Sequence, residues 1–139
     1  MVDNPCSVGS SQEKLNLAIS VPTKAEHRVK AEHNESLSLH LKEPFSDWAV
    51  TGMFYSASHF IESYLATVGI HFTNHSLREG YVYRDVKLKP IYRDLRTLRT
   101  HSEDARYMDK VPPTKFKQSN VDTLRPHLEA IKRVISPLI

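Results

Sequence analysis

The stretch SDWAVTGMFYSASHFIESYLATVG, residues 46–69, decides how the rest of the chain is read. Trp48, Val50, Met53, Phe54, Ala57, Phe60, Ile61, Tyr64, Leu65 and Val68 recur at three- and four-residue steps, the period of an α-helix. Their stripe is too wide for a helix with one wet face, so the segment is expected to be the central and most buried helix. Pro44-Phe45-Ser46-Asp47 supplies a fresh start, with Ser46 or Asp47 as cap, and Gly69 closes the far end.

Working outward, Thr23 and Glu26 make a capping-box pattern ahead of a helix expected over 24–41, with Ala25, Val29, Ala31, Leu37 and Leu41 as a thin apolar stripe. Downstream, His71 to Asn74 read as a turn and residues 75–86 as a short polar helix containing Tyr81 and Val82. Lys89-Pro90 opens the next helix, with Ile91, Leu95 and Leu98 facing inward, running to about Tyr107. Met108 to Lys117 form a loop around Val111-Pro112-Pro113. Ser119 or Asn120 caps a last helix bearing Val121, Leu124, Leu128, Ile131, Val134 and Ile135, with Pro126 early in it. No segment alternates at period two. The expected fold is all-α, a four- to five-helix antiparallel up-and-down bundle over residues 23–139, preceded by a loosely docked tail over 1–22.

Composition narrows the function. At 139 residues and 16.0 kDa the chain has the size of one domain. The single cysteine, Cys6, excludes a disulfide framework and a cysteine-based zinc site and fits a reducing cytosol. Four glycines leave no phosphate loop and no dinucleotide fingerprint. No run approaches the ~18 apolar residues of a membrane span, so a cytoplasmic protein without membrane contact is expected. Net charge is +3 but unevenly spread: residues 76–117 hold eleven Lys/Arg against six Asp/Glu. That segment is either a solvated helix face or a footprint for phosphate.

The basic segment holds Arg96 and His101. A guanidinium can fork onto two phosphate oxygens, and an imidazole, titrating near about 6.5, can pass a proton at neutral pH. Together they are the minimum for cutting RNA without a metal: the imidazole takes the ribose 2′-hydroxyl proton and the guanidinium stabilises the charge on phosphorus. On a straight helix five steps set the two side chains about 140° apart. They converge only if the helix breaks near Thr100-His101-Ser102 or if a symmetric dimer brings two copies together. Arg99, Arg106, Tyr107, Arg78 and His75 are the candidate RNA- or phosphate-binding residues, Tyr107 by stacking on a base. His71 and His75 have a metal-compatible His-x3-His spacing, but with a turn between them and no clear third ligand no metal or other cofactor is expected. His59 reads as a hydrogen-bonded core histidine, and Glu62 and Asp104 do not make a catalytic pair.

The Phe54-to-Leu65 segment, the His75-Ser76-Leu77-Arg78 turn and the closing Ser102-Glu103-Asp104-Ala105-Arg106-Tyr107 resemble one branch of the HEPN family, over roughly residues 24–138. The resemblance implies a helical bundle that usually forms a homodimer. Many members are metal-independent endoribonucleases of toxin–antitoxin, phage-defence or RNA-processing systems, some with a neutralising protein partner, and their Arg-x4–6-His motif lies at a dimer cleft. Others have lost the motif and only bind RNA, nucleotide or protein. Here Thr97 follows the motif arginine where the family prefers Asn, Asp or His. Arg78 stands where relatives often read Arg-Asn, but Glu79 follows it. If Arg78 holds the motif position, the site is degenerate.

Overall fold

The computed structural model describes residues 21–107 and 111–139. Among them five α-helices form a helical bundle with no strand: α1 (Lys24–His40), α2 (Ser46–Thr67), α3 (His75–Arg84), α4 (Tyr92–Tyr107) and α5 (Gln118–Ile135). Short 3-10 turns at Lys89–Ile91, Pro113–Lys115 and Ser136–Leu138 complete the architecture. Nearly all of the tail expected over 1–22, and Met108 to Lys110 of the expected loop, lie outside the described residues. No described helix is long and apolar enough to cross a membrane.

The width of the apolar stripe on α2 has the expected consequence. Seventeen of its 22 residues are buried, because α1, α4 and α5 all pack against it. Only the ends of the stripe depart, with Trp48 and Val68 exposed. Gly69, at φ +75°, adopts the left-handed conformation that ends a helix cleanly. The Ile70 N–H then reaches the Leu65 carbonyl at 2.9 Å and the Gly69 N–H that of Ala66 at 3.3 Å, the paired bonds of a Schellman cap. The cap at the start differs from expectation. Phe45 is the N-cap and, having no polar side-chain atom, makes no capping bond, while Ser46 and Asp47 are already helical and buried.

The helix α1 begins with the expected capping box, Thr23 and Glu26 each accepting the other's backbone N–H. Its expected stripe is corrected: Val29 and Leu37 are exposed, and the inward face is His27, Ala31 and Ser38. Close approach explains why. A Cβ on Gly52 of α2 would lie 3.2 Å from the Asn34 carbonyl oxygen, and the Ser56 hydroxyl donates to the Ala31 carbonyl at 2.8 Å. Only small or hydrogen-bonded side chains fit between backbones that near. Gly52→Leu is therefore expected to separate α1 from α2 and lower stability by about 1–3 kcal/mol, read from the denaturant midpoint. Gly52→Ala should cost less, because the better helix propensity of alanine offsets the tight contact.

At the other side of α1, Arg125 of α5 donates to the Ser38 hydroxyl at 2.8 Å and carbonyl at 3.2 Å, and Lys132 pairs with Glu35 at 2.6 Å. The N-cap of α5 is Lys117, not Ser119 or Asn120. Asn120 instead accepts the Lys117 N–H at 2.8 Å from inside the first turn. Pro126 leaves α5 unbroken. Leu124, Leu128, Ile131 and Ile135 meet Ile91, Leu95 and Leu98 in one core.

Candidate functional site

On α4 the inward positions, at steps of three and four, are Leu95, Leu98 and Ser102, which leaves the basic residues on the outer faces. The helix runs unbroken through Thr100 to Ser102, so no kink draws Arg96 toward His101. Both nevertheless border one open depression of about 350 Å³, lined also by Arg93, Thr97 and Thr100. The Arg96 side chain is 63% exposed; among the described residues it pairs with Glu79, at 3.5 Å, and it also borders the groove between α3 and α4. His101 is exposed too.

The other basic candidates are distributed differently. Arg99 lies in a larger groove between α3 and α4, of about 460 Å³. There it is held by Glu79, by Glu103 at 2.8 Å and by the Ser76 hydroxyl at 3.1 Å. Arg106 donates to the hydroxyls of Tyr55 at 2.7 Å and Tyr107 at 3.0 Å, with its guanidinium over the Tyr107 ring at 4.6 Å. Arg99 engages all three of its nitrogens inside the protein, Arg106 two of its three. Tyr107 keeps an exposed ring.

Arg78 and His75 belong to a second pocket, about 330 Å³, between α1, α2 and the turn before α3. Its centre is Glu62, 1% exposed on α2. One carboxylate oxygen accepts from Arg78 Nε at 2.8 Å and the Phe72 N–H at 3.2 Å. The other lies 3.1 Å from His71 Nδ1 and 4.0 Å from His27 Nε2. Arg78 also donates to the Phe72 carbonyl at 2.7 Å and to His75 Nδ1 at 2.8 Å. His27 Nδ1 and His59 Nδ1 are 3.1 Å apart. From α1, His27 is thus the buried side chain that meets α2 here.

Comparison with known families, curated proteins and solved structures finds no match to this chain.

Around the buried Glu62–Arg78 ion pair, burial disfavours the charged form of three imidazoles. Burial lowers His59 to about 4, helped by repulsion from His27. Burial also lowers His27 against the opposing pull of Glu62, and lowers His75, with Arg78 adding to the effect. His59 is hydrogen-bonded as the sequence suggests, to His27, but it is half-buried at the pocket wall and not in the core. The grouping of His27, Glu62 and His71 escapes the sequence reading, which pairs His71 with His75. One signal for it was present: Glu62 is a carboxylate within the most apolar stripe of the chain, and such a group needs a partner.

Proposed function

We propose that this chain is a HEPN-like endoribonuclease, an antiparallel up-and-down bundle that acts as a homodimer and cleaves RNA without a metal. The supporting observation is that Arg96 and His101 border one open depression of about 350 Å³, both exposed and only loosely engaged by the rest of the protein. In this reading His101 removes the 2′-hydroxyl proton. The 2′-oxygen bonds to the adjacent phosphorus and the bond to the 5′-oxygen breaks, that oxygen taking a proton from an imidazolium or from water, which gives a 2′,3′-cyclic phosphate and a 5′-hydroxyl end. Arg96 holds the charge that builds on the phosphoryl oxygens. The depression is open to solvent, so a second copy of α4 across a twofold axis is what encloses it. A toxin, phage-defence or RNA-processing setting in the cytoplasm, with a neutralising protein partner, follows from the same reading.

Incubating the full chain with RNA in EDTA tests this. Cyclic-phosphate ends that vanish with His101→Ala are the expected result. Intact RNA, or equal cleavage by that variant, overturns it. A second reading, a non-catalytic module for RNA, nucleotide or a protein partner, is favoured by the unbroken course of α4, which does not draw Arg96 and His101 together within one chain. Salt-sensitive RNA binding without cleavage selects it.

A further inference from the structure

We propose that His27, Glu62 and His71 form a binding site for one divalent transition-metal ion of the zinc type, separate from the α4 depression. Each residue offers one ligand atom, and the three atoms lie within 4.8 Å of one another. Four-coordinate zinc has bonds of about 2.0–2.1 Å, which sets neighbouring ligand atoms about 3.3–3.4 Å apart. The Glu62 oxygen is 3.1 Å from His71 Nδ1 and 4.0 Å from His27 Nε2, separations that bracket this value.

An independent observation points the same way. His27 is 3% exposed, and its Nε2 has no hydrogen-bond partner although it faces the carboxylate. Either tautomer leaves the atom unsatisfied. If His27 Nδ1–H donates to His59, Nε2 turns a lone pair toward an anionic oxygen, which is repulsive without a cation between them. If His59 donates instead, the Nε2–H meets that oxygen at 4.0 Å, too long for a hydrogen bond. An ion in the gap satisfies the first arrangement completely.

The surroundings complete the site. His59 orients His27 through the nitrogen that does not bind metal, and Arg78 with the Phe72 N–H fixes the carboxylate, the usual work of groups one step behind metal ligands. Two imidazoles and one carboxylate select zinc, cobalt, nickel or copper over magnesium and calcium. The pocket leaves the fourth position to solvent. The ion has no part in the RNA chemistry proposed above, so either idea can fail alone.

The test is titration of the chelator-treated full chain with Co²⁺ and then Zn²⁺, followed by calorimetry and visible absorption. The expected result is one ion per chain, the intense visible bands of four-coordinate Co²⁺, their loss on adding Zn²⁺, and a melting temperature that rises with metal concentration. His71→Ala, on the most exposed ligand and so the gentlest to the fold, should weaken binding at least tenfold. His59→Gln should weaken it by about 10–100-fold through orientation. His33→Ala, an exposed histidine elsewhere on α1, should leave it unchanged. Overturning results are no stoichiometric uptake, a six-coordinate Co²⁺ spectrum, or equal binding by a folded His71→Ala protein.

Discussion

Glu62→Ala should destabilise the domain by about 3–5 kcal/mol, the cost of breaking a buried ion pair from one side. The carboxylate is 1% exposed and serves Arg78, the Phe72 N–H and His71 at once. Removing it strands a guanidinium that is itself 6% exposed, with only the Phe72 carbonyl and His75 left to accept from it. It also frees the turn between α2 and α3, whose geometry that carboxylate fixes. Glu62→Gln keeps an acceptor for Arg78 and Phe72 but not the charge, so its loss should be smaller, about 1–3 kcal/mol. The double variant Glu62→Ala/Arg78→Met removes both charges and should be more stable than the sum of the single losses implies. Denaturant unfolding of chelator-treated wild type, Arg78→Met and these three variants measures each loss, free of any contribution from a bound ion. A Glu62→Ala loss under about 1 kcal/mol, or strict additivity in the cycle, would contradict this account.

How much of this was legible differs between helices for physical reasons. The helix α2 was readable because burial on nearly every side leaves an apolar signature that no other arrangement of those residues explains. The buried face of α1 was not. What it buries is set by Gly52 and Ser56 on its neighbour, which bring the backbones together and exclude Val29 and Leu37 in favour of Ala31 and Ser38. The histidine pocket was hidden for a related reason. His59 and Glu62 share a face of α2 by spacing alone, but only the pairing of α1 with α2 adds His27, and only the turn after Gly69 adds His71. The arginines of α4 were legible as a set and not as individuals. Glu79, from α3, engages Arg99 closely and Arg96 loosely, and nothing local in α4 sets that difference.

That difference governs the largest expected effect on activity. His101→Ala should lower RNA cleavage by about 10²–10⁴-fold, the usual contribution of a general base. Arg96→Ala should lower it by about 10²–10³-fold through lost charge stabilisation. Neither should move stability by more than about 0.5 kcal/mol, because both residues are exposed and lightly bonded. Arg99→Ala is the contrasting case: it releases Glu79, 6% exposed, from its closest partner, so its first effect should be on stability. The unbroken course of α4 adds a sharper test. If the depression is completed across a twofold axis, with Arg96 from one copy and His101 from the other, the two inactive variants should rescue each other. A mixed dimer of Arg96→Ala and His101→Ala carries one composite site with both native side chains and one with neither. With random pairing, about a quarter of wild-type activity should return on mixing. Should the two groups act within one chain, mixing restores nothing. Cleavage by wild type with no rescue would therefore place the chemistry within a single α4, and rescue would identify the dimer as the active unit.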